Sequence, residues 1–227
     1  MNDPPENWPS YLSLPQGDVF ALGVIALESA LLENIFRAIL SSVARWNNHQ
    51  TAAIFNRLNN RGRQDVIDDL LPNTTIPLET KDDINHFVAG YMVCAENRNY
   101  LMHSSSGGTY RGSANGVGGL VLERYSRPGN KWVCYPTNKQ LCGVADEIHA
   151  YAGFGSIVHM DVRNYATHLD SGHPENYHRV TLATLRNKPP APVPLNWQIP
   201  PDPAEREPPH PALQMISHYR NRKSPET

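Results

Sequence analysis

The chain has 227 residues with a formal net charge of −2, which is room for one ordinary domain and a tail, with a core large enough to fold without disulfides or a structural metal. A balance so close to neutral excludes broad, charge-driven binding to nucleic acid, so any contact with RNA has to be local. Cys94, Cys134 and Cys142 are odd in number and fit neither a zinc site nor a disulfide framework, and the simpler reading is a reducing, cytoplasmic setting. No unbroken apolar run approaches the about 20 residues a bilayer span needs, so no membrane is expected.

Residues 1–16 open as MNDPPENWPS, whose prolines deny helix hydrogen bonds, and read as an extended arm anchored by Trp8, Tyr11 and Leu14. From Asp18, apolar residues recur at helical spacing through Val43, giving a first helix. Its apolar stripe is wide enough for more than one neighbour or for a dimer partner. Glu28 and Glu33 interrupt that stripe, either as solvated margin residues or with one of them orienting Arg98.

Asn47 to Leu71 reads as a second helix broken or bent at Gly62. Arg57, Arg61 and Arg63 make it locally basic, either as solvated surface or as a stretch that steers phosphate. Thr80 with Asp83 three residues on has the form of a capping box and opens a third helix, whose apolar face includes Ile84, Phe87, Tyr91 and Ala95. His86 reads as a surface or packing histidine.

The Gly/Ser-rich stretch 104–119 ends that helix and reads as a loop, serving either as a linker or as a mobile cover whose contact groups are Ser104, Tyr110 and Arg111. Two β-prone runs over about 120–135, bracketing Ser126-Arg127-Pro128-Gly129-Asn130, predict a small β-hairpin that has to lie on the helices. A fourth helix starts at Thr137 and continues to about Tyr165, relieved around Gly153 and Gly155. Half of the chain's 20 prolines fall in Asn187 to Pro211, so residues 187–227 read as an extended or disordered tail, with Trp197 and Ile199 able to dock on the bundle or on a protein partner. The expected fold is therefore mainly α, a bundle of four or more helices spanning 17–186 with a hairpin insertion. His159, Asp161, His168, Asp170, His173 and His178 crowd one region, but their spacings match no zinc motif, and no metal site is expected.

Arg98-Asn99-Tyr100-Leu101-Met102-His103 closes the third helix. Asn99 and His103 are four apart and share a face, and the long Arg98 side chain can swing over it. A guanidinium offers a charged fork for phosphate oxygens, and an imidazole exchanges protons near neutral pH. The bland account of the same residues is a helix C-terminus at which Arg98 and His103 bond to the last carbonyls.

The RNYLMH spacing resembles the RNxxxH motif of the HEPN superfamily (higher eukaryotes and prokaryotes nucleotide-binding), over a pattern covering about 17–105. The resemblance implies a helical bundle and a metal-independent, cofactor-free endoribonuclease acting at a composite site in a homodimer, with Arg98, Asn99 and His103 as the catalytic set. It equally admits a catalytically silent member that binds RNA, a nucleotide or another protein. Family toxins carry a modifiable Tyr two residues after the motif histidine, and here Ser105 stands there. A second copy, Arg163-Asn164-Tyr165-Ala166-Thr167-His168, lies too close behind the first for a second three-helix unit. Arg163 and His168 either share one pocket with the first copy or match by coincidence.

Overall fold

The structure is a computed structural model that describes residues 15–111, 118–125, 131–180 and 187–197. It is mainly helical, in the order α1 (Gln16–Ala44), α2 (Asn48–Phe55), α3 (Asn60–Leu70), α4 (Leu78–His103), β1 (Ser105–Arg111), β2 (Gly118–Tyr125), β3 (Lys131–Cys134) and α5 (Asn138–Asp170). The aromatic anchors expected in the first arm, the hairpin turn 126–130 and Ile199 lie outside the described residues.

Three long helices make the frame. Ile25, Leu32, Phe36, Ile39 and Leu40 of α1 are buried against α4 and α5, and Phe36 is the hub. Its ring stands 4.5 Å from that of Tyr91, 5.8 Å from Phe55 and 6.1 Å from Phe87, which ties α1 to α2 and α4 through tilted and edge-on contacts. Among the described residues α1 alone has the length and composition to cross a bilayer, with mean hydropathy 1.8 over a window of which 28% is buried. Glu28 and Glu33 interrupt its apolar run, as the sequence shows, but do not lower the average enough to exclude it on length and composition.

The second expected helix is two helices, and Gly62 is not where it breaks. The chain turns at residues 56–59, and Gly62 sits in the first turn of α3, donating its N–H to the N-cap Asn59 Oδ1 at 2.8 Å. Opening α4 two residues before the expected cap is Leu78, which follows Pro77. Thr80 and Asp83 serve tertiary contacts instead: Thr80 Oγ1 is 3.3 Å from Tyr177 Oη, and Asp83 is ion-paired with Arg179. Helix α5 begins at Thr137 with a full capping box to Gln140 and runs without relief through Gly153 and Gly155. Gly90 and Gly155 let helices close up. A Cβ on Gly90 would fall 1.8 Å from the Tyr151 ring, and one on Gly155 would fall 2.2 Å from Phe87 and 2.9 Å from Ile35.

The Gly/Ser stretch that reads as a loop carries strand β1, which extends the expected hairpin to an antiparallel sheet in the order β1-β2-β3. Its glycines have no side chain to pack, so a strand was invisible there by pattern, and its backbone is satisfied by pairing with β2. The predicted hairpin itself forms, with Leu122 opposite Cys134 and Tyr125 opposite Lys131.

Residues 187–197 form no helix or strand and lie as an extended strap along α4 and α5. The buried Asn97 holds it at both amide atoms, donating to Val193 O and accepting from Leu195 N, each at 2.9 Å. Farther along, Trp197 packs edge-on against Tyr100 at 5.6 Å while the Arg124 guanidinium lies 3.8 Å from the Tyr100 ring centre and 5.1 Å from that of Trp197. His86 is a packing residue, stacked on Tyr151 with Nε2 2.9 Å from Pro189 O. Asn97→Ala is expected to lose both backbone contacts, lower stability by about 2 kcal/mol and open the strap to limited proteolysis. Cleavage kinetics within 187–197 identical to the parent protein would show that Asn97 does not hold it.

Candidate functional site

The end of α4 divides its motif between two surfaces. Tyr100 and Leu101 turn toward the strap and the core, whereas Arg98 and Asn99 line an open cavity of about 180 Å³ between α1, α3 and α4. The helix supplies this wall at the spacing Tyr91, Ala95, Arg98 and Asn99, one face over two and a half turns. Ser29, Ala30 and Glu33 of α1 and Asn60 and Arg63 of α3 complete it.

The inner wall is already neutralised. Arg63 is buried, with its Nη1 donating to Glu33 Oε1 at 2.7 Å, Asn60 Oδ1 at 3.1 Å and the Tyr91 hydroxyl at 3.2 Å, while Nε bonds Phe55 O and the guanidinium lies over the Phe55 ring. Tyr91 in turn donates to Asn60 Oδ1 at 3.1 Å. Burial, partly offset by the neighbouring Arg63, raises the Tyr91 pKa, so its hydroxyl stays protonated at neutral pH.

Arg98 is different. Its Nη1 donates to Asn99 Oδ1 at 3.0 Å, and among the described residues it has no carboxylate partner. On the same cavity Ser29 Oγ is buried and lacks a hydrogen-bond partner among the described residues. The cavity thus holds an unneutralised guanidinium and an unused hydroxyl, the donors an oxyanion takes.

His103 is exposed in the last turn of α4, one turn beyond Asn99 on the same face, and does not itself line the cavity. Asn99 therefore steadies Arg98 here, and among the described residues it makes no hydrogen bond to His103. Nor does either acidic residue orient Arg98: Glu28 pairs with His149 at 3.2 Å, and Glu33 shares the cavity but pairs with Arg63. Of the bland account, His103 in the last turn of α4 fits the complement to the helix dipole, but among the described residues neither Arg98 nor His103 bonds a carbonyl at the helix end. Ser104 does, its Oγ donating to Tyr100 O. Tyr110 and Arg111 belong to β1, opposite Gly119 and Gly118.

The second RNYxxH does not join the first. Arg163 is exposed on a different cavity between α1, α2 and α5, Tyr165 is buried with its hydroxyl on Thr75 O at 2.7 Å, and His168 lines neither cavity. Tyr91 was missed as a site residue, and Asn60 and Arg63 were read only as part of a basic stretch, solvated or steering phosphate, whereas Arg63 is buried and paired with Glu33. Tyr91 read as one more apolar position, although its i, i+7 relation to Arg98 was the available signal. Among the described residues no three His, Cys, Asp or Glu side chains are grouped to hold a metal ion. Cys94 and Cys134 are buried, with burial pushing their thiols up to about 12 and about 11, and Cys142 is exposed.

Comparison with protein-family models, curated proteins and solved structures returns no match to this chain.

Proposed function

We propose that the chain is a metal-independent endoribonuclease of the HEPN kind, working as a homodimer. The observation that carries this reading is Arg98: a guanidinium without a carboxylate partner among the described residues, steadied by Asn99 on the wall of an open cavity, one helical turn from an exposed histidine. Arg98 would contact the scissile phosphate and offset the charge that develops on it. His103 would take the proton from the ribose 2′-OH as that oxygen attacks phosphorus. As the P–O5′ bond breaks, a second imidazole returns a proton to the leaving oxygen, giving a 2′,3′-cyclic phosphate and a 5′-OH.

One imidazole cannot act as base and acid in the same step, so a second copy has to supply the other. Phe20, Leu27 and Leu31 form an exposed stripe along α1, at 70%, 75% and 49% exposure, which is a face that a soluble helix ordinarily covers. A two-fold contact on this stripe is the proposed dimer seam. The double variant Leu27→Glu, Leu31→Glu is expected to convert a dimer to a monomer in sedimentation and to lose cleavage with it. A wild-type chain that is monomeric at micromolar concentration, or a variant that stays dimeric, counts against this arrangement.

The second reading is a silent HEPN-like module that binds RNA, a nucleotide or a protein. It is favoured by the position of His103 outside the cavity and by the strap lying on the Tyr100 side of the motif. Incubating the protein with a structured RNA in EDTA separates the two: fragments that vanish with His103→Ala mean an enzyme, and binding without fragments means a module.

A further inference from the structure

The larger cavity, about 700 Å³, lies between α1, α2 and α5 and is polar without being acidic. Arg37 and Asn34 enter from α1, His159 and Arg163 from α5, and Asn48 and Thr51 from α2, and no carboxylate is among the residues lining it. Arg45, Arg61, Arg63 and Arg179 each have a carboxylate partner, whereas Arg37 donates only to the neutral Asn34 Oδ1, at 3.0 Å, and Arg163 has no ion pair among the described residues. Two guanidiniums without carboxylate partners line one cavity, where an anion would meet both charges. The first residue of α2, Asn48, is on the rim, so the positive end of that helix adds to the field. Burial first, and then the Arg163 charge beside it, lowers the His159 pKa.

We propose that this cavity is a phosphate-binding site, with Arg37 and Arg163 as its charged contacts and His159 as a polar one. The volume is in the range of small-ligand sites. Among the described residues no Phe, Tyr or Trp lines the cavity, and its apolar lining is Ala38 and Ala52, so recognition rests chiefly on the phosphate. The phosphate can belong to a small phosphorylated molecule or to an RNA backbone. This site is separate from the Arg98 cavity and stands whether or not that cavity cleaves RNA.

The test uses the full chain titrated calorimetrically with sodium pyrophosphate, with sodium chloride of equal ionic strength as control. Saturable binding is expected, weakened about tenfold or more by Arg37→Gln or Arg163→Gln. Both arginines are exposed, and circular dichroism checks that the variants fold. A second titration uses a single-stranded RNA made uncleavable by 2′-O-methyl groups. If Arg163→Gln weakens RNA and pyrophosphate alike, the phosphate is that of the backbone; if it weakens pyrophosphate alone, the ligand is small. Absence of saturable binding to either probe overturns the proposal. So does binding that Arg98→Gln abolishes and both Arg37→Gln and Arg163→Gln leave intact, because that places the anion at α4.

Discussion

Alanine at His103 is expected to lower EDTA-resistant RNA cleavage by about 10² to 10⁴-fold, the usual share of a positioned proton-transfer group, and alanine at Arg98 by about 10² to 10³-fold. Neither change should move the melting transition much. His103 is exposed, and the hydrogen bond that Arg98 makes is to its neighbour Asn99, so little of the fold depends on either side chain. The contrast with Arg63 is the internal control. That arginine is built into the wall between Glu33, Asn60, Phe55 and Tyr91, and its loss should reduce stability and cleavage together. Full cleavage by either Arg98→Ala or His103→Ala would remove the residue from the mechanism.

Gly90→Val should have the largest effect on stability. Helix α4 is pressed onto Tyr151 at this residue, and even a Cβ would sit 1.8 Å from a ring that is 1% exposed and stacked on His86. Tyr151 has no room to yield, so α4 must lift from α5 at a cost of about 3 kcal/mol or more, a fall of about 10 °C in melting temperature for a domain of this size. Gly143 lies in α5 with nothing within 4 Å of its would-be Cβ, so Gly143→Ala should instead raise stability by about 0.5–1 kcal/mol, since a helix interior favours alanine. A Gly90→Val protein as stable as the parent would mean that α4 and α5 do not approach in this way. Because α4 ends in the motif, the same variant should also blur the placement of Arg98.

The helices were legible because burial imposes a period. Leu32, Phe36 and Ile39 in α1, and Ile84, Phe87 and Tyr91 in α4, repeat at three and four residues, and both stretches are helical in the structure. Thr137 read correctly as a cap because its partner, Gln140, is local. What failed was decided by contacts far along the chain. Thr80 and Asp83 look like a cap, but Tyr177 and Arg179 claim them; strand β1 is held by β2 and not by its own residues. At the candidate site, helix geometry put Arg98, Asn99 and His103 on one face; Arg98 and Asn99 do meet on the cavity wall, but His103 does not line it. The capture of Arg63 by Glu33 could not be read, because those residues meet only once α1 and α3 pack. For the same reason the wall that neutralises part of the cavity, and leaves Arg98 without a carboxylate among the described residues, was not visible in advance.

The most direct measurement is of the ends left on a defined RNA incubated with the purified chain in EDTA. A 2′,3′-cyclic phosphate on one fragment and a 5′-OH on the other is the result predicted for attack by the neighbouring 2′-OH beside Arg98 and His103. Intact RNA, or fragments ending in 3′-OH and 5′-phosphate, would contradict it.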